Sequence, residues 1–125
     1  MAGMLAGATS AADEFGGHKY GMLEDWVLWH DAVASCESID AHLVTINSAE
    51  ENAFVFGLSP RTWLGATDEL VEGDWLWVSG ESFSYANWAP GEPNDCPDCS
   101  PGGSERFLAF DHQSNDGTWN DLGFV

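Results

Sequence analysis

Apolar residues at Trp29, Ala32, Val33 and Cys36 are spaced three, one and three apart, which places them on one face of a helix. The stretch from Glu24 to Cys36 therefore predicts a first helix, with Asp31 early in it, where an acid suits the helix dipole. A strand is expected before it, around His18 to Met22, and Leu43, Val44 and Ile46 read as a short strand after it. Ser48 followed by Glu51 forms a capping-box pattern that opens a second helix through Ala53, Phe54 and Val55, closed by Ser59-Pro60. Beyond that point the pattern changes. "TWLGATD" reads as a buried strand from Thr62 to Ala66, and "DWLWVSG" alternates Trp75 and Trp77 before a turn at Ser79-Gly80. "FSYANW", "RFLAF" and "GTWNDL" follow as further short strands. Two helices ahead of a β-rich half, with no repeat and no linker, predict one α+β domain.

Composition narrows the class. The 125 residues are 44% hydrophobic and include seven Trp, enough for a packed core and too apolar for a disordered chain. Twenty-one acids against three Lys and Arg give a net charge of −18, which argues against nucleic-acid or anionic-membrane partners. Either the charge is a solvated acidic surface, or some carboxylates neutralise a hard cation. The opening "MAGMLAGATSAAD" is small and apolar: residues 1–12 read as a signal-peptide remnant, with cleavage near Ala11 or Ala12, or as a disordered tail. Residues 13–125 form the domain. No apolar run approaches the roughly 18 residues of a membrane span, and a secreted or extracellular domain is favoured.

The chemistry gathers around "NWAPGEPNDCPDCSPGGSERF", Asn87 to Phe107, a loop too long to lack a role inside a compact domain unless it is disordered. Glu92 and Asn94 head it, Glu105 ends it, and Asn120-Asp121 follow Trp119 further on. Two acids and an amide from the loop, plus an amide and an acid from a later strand, match the oxygen ligands Ca²⁺ takes. A cis Glu92-Pro93 bond would turn Glu92 and Asn94 to the same side. An exposed acidic loop fits the spacing equally well. Cys96 and Cys99 lack the second ligand pair zinc needs, and their loop setting suits a local disulfide better than a redox motif. His18, His30, His42 and His112 are scattered, with no nucleophile placed beside one, and read as structural or exposed.

From about His18 to Asp121 the chain resembles the C-type lectin-like domain. The matching stretches are "WHDAVASCESIDAHLVTINSAEENAF", "WLGATDELVEGDWLWVSGESFSYANWAPGEPND" and "GTWNDL", in the family's order. The resemblance implies a compact α+β fold with a long calcium-carrying loop region and calcium-dependent sugar binding. By position, Glu92, Asn94, Glu105, Asn120 and Asp121 would hold the principal Ca²⁺ and the sugar, and Trp63, Leu64 and Gly65 would form the core strand. The acid-then-amide order of Glu92 and Asn94 implies mannose, glucose, GlcNAc or fucose rather than galactose. Asp68, Glu72 and Asp95 match an auxiliary calcium position. There Arg106 stands in place of a further acid and is expected to repel the ion or to pair with Asp95 or Glu72 in its stead.

The match also breaks in places. The family implies a disulfide from Cys36 to a final strand after the Trp-Asn-Asp motif, but the sequence reaches only "LGFV". Phe107 and Phe124 stand where a second pair would be, as in microbial versions of the domain. Without the final strand, the strand at His18 to Met22 is expected to lack a partner. A fragment is the leading explanation; a short substitute at "GFV" or a strand from another chain are the alternatives. Two other functions compete with glycan binding: a protein-binding or ice-binding module without sugar recognition, and a metal-assisted hydrolase, which the shortage of a free base disfavours. A shallow sugar site of this kind binds weakly, so several copies in an oligomer would supply avidity.

Overall fold

The computed structural model describes residues 2–6, 13–16, 18–22, 27–96, 104–111 and 113–123. Ten elements follow in order: strands β1 (Ala2–Ala6), β2 (Asp13–Phe15) and β3 (His18–Met22), helix α1 (Trp29–Glu37), β4 (His42–Leu43), α2 (Ala49–Leu58), β5 (Thr62–Thr67), β6 (Leu76–Trp77), β7 (Phe107–Phe110) and β8 (Trp119–Leu122). The α+β class is as expected. The strand at 18–22 and both helices lie where the pattern put them, although α1 starts five residues later than Glu24. The stretch 83–88 forms no strand beyond a single parallel bridge, Trp88 to Trp119. Ser48 caps α2, its hydroxyl accepting from the Glu51 N–H at 3.1 Å. The Glu51 carboxylate reaches past the cap to the N–H of Asn47 at 2.8 Å.

The strands form one eight-stranded sheet, ordered β2-β3-β1-β5-β7-β8, with β4 beside β1 and β6 beside β5. Its centre is buried on both faces because consecutive strand residues point to opposite sides. Trp63 of β5 and Phe107 and Ala109 of β7 face α1, packing with Trp29, Ala32 and Cys36. Leu64 and Ala66, with Leu108 and Phe110, face the other way into a core shared with Val55, Trp75, Trp77 and Trp119. Gly65 lets β5 approach the chain after β4: a Cβ there would sit 2.5 Å from the Leu43 carbonyl oxygen, and the Gly65 N–H donates to Val44 at 2.7 Å.

β1 joins the two halves of the sheet. It pairs antiparallel with β3 (Met4 to Met22, Leu5 to Gly21, Ala6 to Tyr20) and parallel with β5 (Ala2 to Thr62, Gly3 to Trp63). Its second half also meets β4, Leu5 opposite Leu43. The strand at 18–22 is therefore not left without a partner: β1 flanks it on one side and β2 on the other. Within residues 1–12, the stretch assigned above to a leader or tail, residues 2–6 are this strand and 7–12 lie outside the described residues. Cys36 is buried with a free thiol, and burial pushes its pKa up to about 11. Phe107 stacks on Trp29 at 5.0 Å, while Phe124 lies outside the described residues. Leu5 has a ladder neighbour on each side, so its N–H faces a partner whichever way it points. Leu5→Pro should therefore cost about 2 kcal/mol, a fall of roughly 8 °C in Tm, measured by thermal melting. An unchanged Tm would mean that β1 is dispensable.

Candidate functional site

Strand β8 carries one wall of the site, and the aromatic core holds it in place. Trp119 is fully buried, ringed by Trp77 (5.9 Å between centroids), Phe83 (6.1 Å), Tyr85 (5.7 Å) and Trp88 (6.0 Å). Its indole N–H donates to Asn52 Oδ1 on α2 at 2.8 Å, and Asn52 in turn donates to the Gly117 carbonyl at 2.9 Å. The start of the long loop is zipped to this strand. Trp119 N–H donates to the Asn87 carbonyl at 2.8 Å and Ala89 N–H to the Trp119 carbonyl at 2.9 Å.

Further along, the loop closes onto Asp121. This carboxylate is 1% exposed and accepts from the Asn94 N–H at 3.2 Å and the Asp95 N–H at 2.8 Å. The loop's two ends meet through Asp95 Oδ1, which accepts from the Glu105 N–H at 3.1 Å. The Cys96 N–H lies 3.3 Å from both Asn94 Oδ1 and Glu105 Oε1. Asn94 Nδ2 is 3.5 Å from Glu92 Oε2. The Glu92-Pro93 peptide is cis, and Asp95 occupies the left-handed region at φ 43°, which Asp tolerates.

Glu92, Asn94, Glu105 and Asp121 therefore stand together, although they come from two distant stretches of sequence. Burial pushes the Glu92 pKa up to about 7, helped by a hydrogen bond to Asp121 and by the charges of Asp121, Glu105 and Asp111. Asp111 was not anticipated; its only sequence signal is an acid directly after a fully apolar strand. Asn120 lies next to Asp121 on β8, and its Oδ1 is buried with no hydrogen-bond partner. Two more oxygens share that condition, Glu92 Oε1 and Asp68 Oδ1.

The auxiliary residues form a second acidic group beside the first. Asp68 follows β5 directly at 2% exposure, and its N–H donates to the Arg106 carbonyl at 3.3 Å, while Arg106 N–H donates to the Leu122 carbonyl at 3.1 Å. Three neighbouring segments thus align Asp68, Glu105-Arg106 and Asp121-Leu122. A hydrogen bond to Asp68 leads the rise of the Glu72 pKa to about 7, with burial and the charges of Asp68, Asp95 and Asp121 adding to it. Arg106 pairs with neither Glu72 nor Asp95. The ion pair found among the described residues is His30 with Glu69 at 3.0 Å, so the expected substitution of a cation for the auxiliary ion is corrected. Arg106 alternates with buried Glu105 and Phe107 and is itself exposed, which turns it away from the acids.

The donor chemistry suits a hard cation: carboxylates and an amide, with three buried oxygens lacking partners. The carboxylates are engaged with backbone N–H groups and with one another, and no group of three or more His, Cys, Asp or Glu among the described residues has metal-binding spacing. Cys96 is disulfide-bonded, and Cys99 lies outside the described residues. His30 and His42 make structural contacts; His112 is undescribed.

Comparison with known proteins places this chain in a family. The profile of the Lectin C-type domain matches residues 27–123. Perlucin of Haliotis laevigata is 33% identical over 97 residues, covering 73% of this chain and 59% of perlucin. The C-type lectin CEL-I from Cucumaria echinata superposes with a TM-score of 0.80 at 29% identity, over 92% of this chain and 87% of that one. The cow C-type carbohydrate-recognition domain of CD23, solved in the presence of a GlcNAc2Man3 oligosaccharide, superposes with a TM-score of 0.66 at 33% identity, over 77% and 70% of the two chains. The chain belongs to the C-type lectin domain family, whose members are binding proteins rather than enzymes. It spans about a quarter to three-fifths of the length of the curated relatives it matches. No helix among the described residues is long and apolar enough to cross a membrane.

The raised carboxyls make a sign prediction. Glu72 and Glu92 stay protonated in the folded, metal-free chain at pH values where the unfolded chain has released those protons. Unfolding therefore releases protons between about pH 4.5 and pH 7, and folding stability falls as pH rises through that window. With divalent ions chelated, Tm should drop from pH 5.5 to pH 8. Glu72→Gln with Glu92→Gln should flatten that slope; a Tm that climbs with pH in the chelated protein would contradict the assignment.

Proposed function

We propose that this domain binds glycans through a Ca²⁺ ion held by Glu92, Asn94, Glu105, Asn120 and Asp121. The observation carrying the reading is that the Asn94 and Asp95 N–H groups close onto buried Asp121 and Glu105 joins them through Asp95, while Glu92 Oε1 and Asn120 Oδ1 remain buried without partners. Burying such oxygens costs free energy unless something engages them, and an oxygen-seeking cation is suited to do so. When bound, Ca²⁺ offers open coordination positions that vicinal sugar hydroxyls can fill. Around it the chain's own groups do the reading. A carboxylate such as Glu92 accepts from a hydroxyl, and the Asn94 amide donates to one, so both hydroxyls are satisfied without bulk water.

The acid-then-amide order favours mannose-type ligands with two equatorial hydroxyls, as the family resemblance implies. One shallow site of this kind holds a monosaccharide with a Kd of roughly 1 mM, about −4 kcal/mol, and an oligomer would raise avidity. Asp68, Glu72 and Asp95, which Arg106 leaves without a neutralising cation, are proposed to hold an auxiliary ion. A secreted setting with a Cys96–Cys99 disulfide fits the same reading.

Calorimetric titration with Ca²⁺ should show binding that Asp121→Asn weakens at least tenfold, because the ion loses a buried carboxylate (an estimate of about 1.4 kcal/mol or more). Glu92→Gln with Asn94→Asp exchanges donor and acceptor and should move a glycan array from mannose towards galactose. Heat evolved by neither Ca²⁺ nor mannoside would favour a module of this fold that reads protein or ice without sugar.

A further inference from the structure

The backbone of Cys96 touches two of the residues proposed above to hold the calcium ion. Its N–H lies 3.3 Å from Asn94 Oδ1 and 3.3 Å from Glu105 Oε1, a single donor shared between the head of the long loop and its foot. Asp95, just before it, ties the same two ends. The Asp95 N–H donates to Asp121 Oδ2 at 2.8 Å, and its Oδ1 accepts from the Glu105 N–H at 3.1 Å. The position of Cys96 therefore bears directly on where Asn94 and Glu105 hold their oxygens.

The side chain of Cys96 is tied covalently as well. The chain has three cysteines, Cys36 keeps a free thiol and Cys96 is disulfide-bonded, so within one chain its partner is Cys99. The ring closed by that bond is short, Cys96-Pro97-Asp98-Cys99, and it begins at the residue whose N–H spans the two ligands. A closed ring removes backbone freedom before any ion arrives. Ordering one residue's backbone otherwise costs about a factor of ten in an equilibrium. A ligand set fixed in advance binds more tightly than one that must be assembled.

We infer that the Cys96 disulfide positions Asn94 and Glu105 for the cation, so that its redox state sets the calcium affinity of the loop. This rests on the calcium-lectin reading above and adds a regulatory input to the same site. A dithiol reductant breaks the S–S bond by thiolate attack. Two electrons and two protons pass to Cys96 and Cys99, which become thiols, and the reductant closes to its own disulfide. Cys36, buried against β5 and β7, takes no part. Coupling of this kind is reciprocal. If the disulfide tightens Ca²⁺ binding by some factor, Ca²⁺ makes the disulfide harder to reduce by the same factor.

The test measures both directions on the full chain. Calorimetry with Ca²⁺ should show about tenfold weaker binding after reduction with dithiothreitol, and the same loss in Cys96→Ser with Cys99→Ser. Reoxidation of the parent chain should restore its affinity. The midpoint potential for reduction, read by alkylation and mass spectrometry in dithiol/disulfide buffers, should fall by about 30 mV in saturating Ca²⁺, which is that tenfold expressed for a two-electron couple. Cys36 should stay unlabelled throughout, since the fold remains closed around it. Equal Ca²⁺ affinity in the oxidised and reduced chains, or a midpoint indifferent to Ca²⁺, would overturn the coupling and leave the calcium site standing. Labelling of Cys36 together with the pair would also overturn it, because reduction would then act by unfolding the whole domain. Failure of the oxidised chain to bind Ca²⁺ would sink the calcium reading, and the coupling with it.

Discussion

A single buried carboxylate, Asp121, organises the functional end of this domain. It stands on the edge strand of the sheet, and the backbone N–H groups of Asn94 and Asp95 both point at it. Hydrogen bonds to an ionised group are among the stronger ones a protein makes, and burial strengthens them further. Without that anchor the backbone of Asn94 and Asp95 would lose its hydrogen bonds to β8. The same carboxylate sets the local electrostatics. Its charge helps hold protons on Glu92 and Glu72, so two acids that would ordinarily be ionised become a reserve of negative charge that a cation can release.

The aromatic core makes that anchor rigid. Trp119 sits two residues before Asp121, and its ring contacts, its bond to Asn52 and its backbone bonds to Asn87 and Ala89 leave β8 little freedom. Tyr20 on β3, hydrogen-bonded to Glu51 at the start of α2, closes the far side of the same core, and burial, with that bond, raises the Tyr20 pKa. Two of the core's indoles, Trp75 and Trp77, have no partner for their N–H, which marks where packing outweighed polar satisfaction.

The sheet shows how one position can be filled from an unexpected part of the chain. The family resemblance calls for a strand after the Trp-Asn-Asp motif, pairing with the strand at 18–22. Ala2–Ala6 lies there instead, antiparallel to β3 and parallel to β5. A sheet position is defined mainly by backbone hydrogen bonds and tolerates small side chains, so a segment rich in Ala and Gly can take it. Its small, apolar composition reads equally well as a leader, because nothing in five such residues encodes their partners.

What the residues alone determined was local. The helical spacing at 29, 32, 33 and 36, the cap at Ser48 and the buried run of β5 each follow from neighbours a few positions apart, and each was legible. So were the two oxygen-rich stretches at 92–94 and 120–121, since acid and amide chemistry is written in residue type. Only the tertiary structure decided that these stretches meet on Asp121, that Asp111 adds its charge, that Arg106 turns away from the acids, and that β1 bridges the sheet. Each of those outcomes depends on pairing between segments far apart in sequence, where the energy lies in geometry that no local pattern carries.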